Sequence, residues 1–165
     1  MYHAGQGVFG VACTRMTPGR VGDYEQPTGS FKLLDAHSFQ RKSCKSPGSC
    51  WCPYYFPELH HFLCDTGEEP SSVLSLPTNG AGSSPALVLG TVYIRPEEKE
   101  PSQGRILLFS VLQTEGERGV SVRSLHTLAS QEVGGCVYAL AHLSENYIIA
   151  AINSSVRFSV SGIEH

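Results

Sequence analysis

The 165-residue sequence predicts an all-β fold built from short strands and tight turns. Runs rich in Val, Ile, Leu, Tyr and Phe begin at intervals of roughly 8–15 residues, with glycine, asparagine or charged turns between them. Charged residues make up only 16% of the chain, which disfavours long solvated helices and coiled coils. The 17 glycines exceed the usual share and suit a turn-rich protein. These observations favour a sandwich, barrel or propeller over alternating βα units.

The first part of the chain, residues 1–40, contains two predicted strands. They lie at residues 8–14 and 31–35, and turn-rich sequence separates them. A G-x-G-x-x-G match at residues 5–10 neither follows a predicted strand nor opens a helix. A pyrophosphate site is therefore not expected there.

The third part, residues 68–165, is β-patterned almost throughout. Its seven predicted strands lie at residues 73–76, 86–94, 105–111, 120–128, 136–143, 147–152 and 156–160. A helix is the rival interpretation over residues 133–143, but Gly134-Gly135 and the β-branched and aromatic content favour a strand. Residues 106–109 and 148–152 are continuously apolar, which predicts strands that are buried on both faces.

The middle part, residues 41–67, differs in composition and shows no useful periodicity, so we expect an irregular insert. It holds four of the six cysteines and the only tryptophan, Trp51. Zinc is held by four thiolate or imidazole ligands, but the spacing here matches no common zinc knuckle. The four candidate ligands are Cys44, Cys50, Cys52 and Cys64. Disulfides are a second interpretation, which no secretory signal supports.

A third interpretation is that residues 41–67 are a translated intron. Residues 41–43 can be encoded by a splice-donor sequence, and residues 62–67 can be encoded by a pyrimidine-rich acceptor. Removing the codons between these points preserves the reading frame.

Composition and motifs specify no catalytic reaction. The net charge of −3 provides no overall basic character for nucleic-acid binding. No apolar run approaches the roughly 18 residues of a membrane helix. The acidic run at residues 97–100 is interpreted as a solvated loop, and the sequon at residues 153–155 as a turn between strands. No catalytic residue, cofactor or small-molecule substrate is expected.

Four segments carry a family resemblance: residues 88–91, 96–109, 132–140 and 149–157. The most specific are P-E-E-x-E-P-x-x-G-R-I at residues 96–106 and A-x-I-N-S-x-V-R at residues 150–157. The chain resembles the large-subunit family of the UV-damaged-DNA-binding complex, the adaptor of cullin-four ubiquitin ligases. Large subunits of the cleavage-and-polyadenylation factor and a splicing scaffold share the G-R-I and G-x-V-Y elements, but the acidic loop favours the damage-binding branch.

The resemblance implies a partial β-propeller of about two WD-like four-stranded blades, interrupted by the irregular insert. Proteins of this family contain three propellers, of which one docks the cullin and two clamp substrate receptors. This chain would correspond to the first blades of the third propeller. Isolated in this way, it is expected to leave the apolar faces of residues 106–109 and 148–152 uncovered.

The function implied is that of a scaffold fragment that helps to link substrate receptors to a cullin-RING ligase in DNA repair, in the nucleus and also the cytoplasm. DNA would be contacted only through a partner, and no membrane is involved. The resemblance places Gly135, Cys136 and Tyr138 near the receptor-binding face, while the alternative is a plain packed turn. An RNA 3′-end-processing or splicing scaffold is an alternative function, and a small zinc-binding module is a second one.

Overall fold

The structure is a computed structural model that describes residues 2–3, 7–16, 27–37, 40–41, 54–55, 57–77, 86–115, 121–144 and 147–160. The regular secondary structure in these residues is all β-strand, which confirms the predicted class, and no helix among them could cross a bilayer. The strands are β1 (Tyr2–His3), β2 (Val8–Met16), β3 (Pro27–Asp35), β4 (Gln40–Arg41), β5 (Tyr54–Tyr55), β6 (Glu58–Leu63), β7 (Glu68–Leu76), β8 (Ala86–Tyr93), β9 (Gly104–Glu115), β10 (Ser121–Val133), β11 (Val137–Ser144), β12 (Tyr147–Ile152) and β13 (Ser155–Val160).

The strands form three main antiparallel sheets in chain order. The first sheet has the order β1-β2-β3-β6, the second β7-β8-β9-β10 and the third β11-β12-β13, while β4 and β5 form a separate two-stranded ladder. Each strand of the second sheet pairs with its neighbour in sequence. A four-stranded meander of this kind is the blade unit of a β-propeller.

The inner strands of the second sheet, β8 and β9, are buried on both faces because their apolar residues alternate between two neighbouring sheets. Leu107 and Phe109 of β9 pack with Phe31 and Leu33 of the first sheet, and we call this interface the first seam. Side chains on the opposite face of the second sheet pack against the third sheet in the second seam. This second cluster contains Leu76, Val88, Ile106, Leu108, Val133, Val137, Ile148, Ala150 and Ile152.

This packing confirms that residues 106–109 are buried on both faces. It also corrects the expectation that this chain would leave them uncovered, because the first and third sheets cover one face each. In β12, Ile148 and Ile152 lie in the second seam, whereas Ile149 is only half-buried on the opposite face. On that outer face of the third sheet, Val156 is 64% exposed. The expectation of an uncovered face therefore holds for β12 alone.

The expectation of an irregular insert is wrong over Glu58–Leu63, because these residues form β6, which pairs with β3. Phe62 packs edge-on against Phe109 with ring centroids 5.1 Å apart, and Cys64 is buried in the first seam. The ladder shifts register between Leu33 and Leu34, which breaks the alternation of inward and outward side chains. Across this shift the inward-facing apolar residues of β6 no longer recur at every second position. The sequence pattern alone therefore did not reveal the strand.

Candidate functional site

Four connections lie at the same end of the second and third sheets. They are residues 64–67 between β6 and β7, 94–103 between β8 and β9, 134–136 between β10 and β11, and 153–154 between β12 and β13. Antiparallel neighbours bring alternate connections to one edge. We call these four connections the rim. Because binding residues are commonly carried on loops above a rigid scaffold, the rim is the candidate site.

Glycines allow the second and third sheets to approach closely at the rim. Gly135 has φ +152°, and a Cβ there would lie 2.5 Å from Cγ of Asn153. A Cβ on Gly104 would lie 2.4 Å from the carbonyl oxygens of both Gly135 and Thr91. Side chains larger than hydrogen would force these connections apart.

Asn153 joins three parts of the rim. Its Oδ1 accepts a hydrogen bond from the Cys136 N–H at 2.8 Å, and its own N–H donates to the Cys136 carbonyl at 3.1 Å. Its Nδ2 donates to the Pro101 carbonyl at 2.8 Å. The backbone of Asn153 has φ +49°, in the left-handed region that asparagine tolerates better than most residues. One carboxamide therefore connects the β8–β9 loop, the β10–β11 connection and the β12–β13 turn.

Tyr138 is the exposed member of the predicted partner surface. The β11–β12 ladder shifts register between Val137 and Ala139, and Tyr138 lies at that shift with 60% of its surface exposed. Irregularities of this kind re-aim a side chain out of the sheet pattern. The Val137 carbonyl beside it accepts hydrogen bonds from the hydroxyls of Ser71 at 2.7 Å and Ser72 at 2.8 Å. These bonds hold the start of β11 against β7.

A surface cleft of about 240 Å³ opens beside Tyr138. Among the residues that the structure describes, Glu100, Asn153 and Ser154 line it together with Tyr138. The structure thus places an aromatic ring, a carboxylate and a hydroxyl around one opening, which suits contact with the side chains of a partner protein.

The other two predicted site residues lie beneath this surface. Gly135 is buried, and Cys136 is only 4% exposed, so burial raises the pKa of its thiol. The structure therefore brings Gly135, Cys136 and Tyr138 together, but only Tyr138 presents its side chain to solvent. The first two residues shape the connection that carries it.

A buried ion pair supports the rim from below. The Glu68 carboxylate is fully buried and accepts hydrogen bonds from Arg105 Nε at 2.8 Å and Nη2 at 2.5 Å. It also accepts from Thr91 Oγ1 at 2.6 Å and from the Asp65 N–H at 2.9 Å. The hydrogen bonds with Glu68 raise the pKa of Arg105, so the guanidinium stays charged. With all these partners in place, the pair joins β7, β8 and β9 at their rim ends.

Asp65 and Tyr93 extend this network towards solvent. The Tyr93 hydroxyl donates to Asp65 Oδ2 at 2.8 Å, and Arg105 Nη2 lies 3.1 Å from the same oxygen. The pKa of Tyr93 is raised to about 12, with burial as the largest cause and the hydrogen bond to Asp65 as the second. The phenol is therefore neutral at physiological pH and acts as a hydrogen-bond donor.

The acidic β8–β9 loop is ordered by Glu98. Its carboxylate accepts hydrogen bonds from the Ser102 N–H at 3.0 Å and hydroxyl at 2.8 Å, which lower the pKa of Glu98. Arg95 bonds both Glu98 at 3.1 Å and Gln103 at 2.6 Å. Glu97 and Glu100 are exposed, so the prediction of a surface loop is confirmed.

The alternative zinc site is not assembled from the residues whose structure is described. Cys64 lies in the first seam, and burial raises the pKa of its thiol to about 12, which disfavours the thiolate that zinc requires. Cys44, Cys50 and Cys52 lie outside the described residues. Within the described ranges, no group of three or more His, Cys, Asp or Glu residues is placed to hold a metal ion.

Sequence reasoning missed three cleft residues: Glu100, Asn153 and Ser154. All three lie in the segments of the family resemblance, and Asn153 also begins the sequon. Their meeting depends on which connections share an end of the sheets, and this topology is not encoded in the local sequence pattern.

Residues 53–160, more than half of the chain, match the family model described as the CPSF A subunit region. The chain is 28% identical over 149 residues to DNA damage-binding protein 1b of Arabidopsis thaliana, covering 90% of this chain and 11% of that protein. It is 39% identical over 69 residues to DNA damage-binding protein 1 of Solanum lycopersicum, covering 42% of this chain and 5% of that protein. The chain thus spans only a small part of the length of these relatives.

Proposed function

This chain belongs to the CPSF A subunit region family, and from that membership we propose that it is part of a scaffold that links substrate-receptor proteins to a cullin-RING ubiquitin ligase during repair of damaged DNA. The names of the relatives support the connection with DNA damage. The observation that carries the proposal is the rim, where an exposed aromatic side chain lies beside a cleft on a stack of sheets. No enzymatic activity is proposed.

Tyr138 is the proposed central contact for a substrate receptor. Tyrosine is enriched among the residues that dominate binding energy at protein interfaces, because its ring offers a large contact area at low entropic cost. Glu100 and Ser154 provide polar contacts at the edge of the cleft. Gly135 and Cys136 are buried, and they contribute by shaping the backbone that carries Tyr138.

Partners of this scaffold would be proteins. With a net charge of −3 the chain has no overall attraction for phosphate backbones, so DNA is reached through a bound receptor. A role in the repair of damaged DNA supports a nuclear location for the protein, and the cytoplasm is proposed as a second location.

A scaffold for RNA 3′-end processing or splicing is the second candidate. The description of the family, which names a CPSF A subunit, favours it. The two relatives described above are both DNA damage-binding proteins, and they favour the first candidate.

Binding of the purified 165-residue chain to a purified substrate receptor of the cullin-four ligase tests the proposal. We expect the receptor to bind, and Tyr138→Ala to weaken binding at least about tenfold, as for a dominant interface residue. Tyr147→Ala is the matched control, because Tyr147 is 46% exposed but starts β12 at the end away from the rim. If the folded chain does not bind the receptor but binds a purified 3′-end-processing subunit, the first candidate function is wrong and the second is supported.

A further inference from the structure

We propose that Asn153 is the positioning residue of the rim, and that its carboxamide sets the geometry of the cleft between Tyr138 and Glu100. The inference deepens the proposed function and rests on it for the identity of the partner. Its basis is that Glu100 lies in the β8–β9 loop, Tyr138 follows the β10–β11 connection at the start of β11, and both of these connections are bonded to the Asn153 side chain.

The hydrogen bonds of Asn153 go beyond what its own turn requires. A residue with φ +49° needs only to tolerate the left-handed region, which glycine and aspartate also do. The side chain instead leaves the β12–β13 turn and reaches two other connections. Oδ1 bonds the Cys136 N–H, and Nδ2 bonds the Pro101 carbonyl. Asn153 thus contributes to the rim in three ways: through its backbone conformation, its side-chain acceptor and its side-chain donor. Different substitutions can distinguish these contributions.

The acceptor holds the wall that carries Tyr138. Cys136 is fixed to Asn153 through both its N–H and its carbonyl, and the next carbonyl, of Val137, is held by Ser71 and Ser72. Tyr138 follows directly at the register shift in β11. The two residues before Tyr138 therefore both have hydrogen-bonded backbones, which limits the directions that the Tyr138 ring can take.

The donor holds the opposite wall. Pro101 follows Glu100, so the bond from Asn153 Nδ2 to the Pro101 carbonyl fixes the backbone next to the Glu100 carboxylate. Glu98 orders the other side of this loop through Ser102. Loss of the donor alone would release the segment around Glu100 and leave Tyr138 anchored.

Two substitutions separate these contributions. Asn153→Asp keeps a residue that tolerates positive φ and keeps an acceptor for Cys136, but it puts a carboxylate oxygen opposite the Pro101 carbonyl. Asn153→Gly keeps the backbone conformation and removes both side-chain bonds. Val111→Ala is the stability control, because it creates a cavity in the first seam away from the rim.

The measurements are NMR order parameters of the rim backbone and the affinity of the 165-residue chain for a purified cullin-four substrate receptor. We expect Asn153→Asp to lower order at residues 100–102 only, and to weaken receptor binding about threefold to tenfold. Asn153→Gly should lower order at residues 100–102 and 135–138, with a loss above about tenfold. Val111→Ala should lower the melting temperature and change neither rim order nor affinity.

The outcomes distinguish this inference from the proposed function. If both Asn153 variants lower the melting temperature but leave rim order and receptor affinity unchanged, Asn153 is only a turn residue and the inference is overturned. If rim order changes as expected but the unsubstituted chain does not bind the receptor, the positioning role stands and the proposed function fails.

Discussion

Glu68 and Arg105 form a two-point ion pair in the interior of the second sheet, although they lie on strands that are not neighbours. Glu68 begins β7 and Arg105 lies at the start of β9, so the pair spans β8, whose Thr91 also bonds the carboxylate. A fully buried carboxylate is tolerated only when such partners replace its water. Three strands are thereby held in one alignment at the end that carries the rim.

Removing one partner of this pair should destabilise the chain strongly. Arg105→Met leaves the Glu68 charge buried without a counter-ion, and we expect the free energy of unfolding in urea to fall by about 3–5 kcal/mol. The double variant Glu68→Leu/Arg105→Met removes both charges and should recover most of this loss. A double variant no more stable than Arg105→Met would show that the charge is not the cause.

Phe62 tests whether β6 belongs to the fold. Its ring contacts Phe109, and aromatic pairs contribute about 0.5–1.5 kcal/mol beyond the area they bury. We expect Phe62→Ala to lower the free energy of unfolding by about 1–3 kcal/mol, less than a fully buried phenylalanine. His60→Ala, on the exposed side of the same strand, should change it by less than about 0.5 kcal/mol. Equal effects of the two substitutions would mean that β6 does not pack on the second sheet.

Cys64 predicts a loss of stability in alkaline solution. Its folded pKa is raised from 9.0 to about 12, so the folded chain retains a proton that the unfolded chain releases. The stability that the protonated Cys64 thiol contributes is complete below pH 9 and is lost as the pH rises through about 12. The free energy of unfolding should therefore fall above pH 9, and Cys64→Val should reduce this slope. Parallel slopes in the two proteins would contradict the prediction.

Thiol alkylation offers a second check on Cys64. The thiolate is the reactive form, so burial and a raised pKa should make Cys64 react far more slowly than the partly exposed Cys13. Peptide mass spectrometry after a short exposure to iodoacetamide measures the two rates. Rapid labelling of Cys64 in the folded chain would mean that it does not lie in the first seam.

Val156 should govern aggregation of the chain. It is 64% exposed on the outer face of the third sheet and pairs with Ala151 of β12. Lysine on an exposed strand opposes association between sheets, so Val156→Lys should raise the soluble fraction without lowering the melting temperature. Thr28→Lys adds the same charge to the polar face of the first sheet and should give no gain. Equal gains would assign the effect to the added lysine wherever it stands, and not to the outer face of the third sheet.

The sequence predicted best those strands whose local pattern matches their burial. Residues 106–109 are continuously apolar because alternate side chains enter the two seams, and this pattern is visible without a structure. The prediction for β10 ended at residue 128, whereas the strand continues to Val133. Its second half is polar, and its strand conformation comes from the ladder with β9, a long-range partner that local propensity does not include.

The candidate site was predictable only in part. Gly134-Gly135 marked a close approach before β11, but the cleft depends on the meeting of Glu100 with Asn153 across separate connections. The intron origin of residues 41–67 stays a prediction, which sequencing of transcripts across codons 36–72 would test. The family match begins at residue 53, within this segment.

The inner strands of the second sheet are covered on both faces and the third sheet on only one, so we expect the third sheet to open before the second. Its central amides, such as that of Leu107, can exchange with deuterium only when a seam on each side has separated, which approaches global unfolding. Amides of β13 lie at the outer margin of a sheet that is covered on one face, so they can exchange through local fraying. A protein that covers the third sheet would slow exchange in β13 without needing to touch the second sheet.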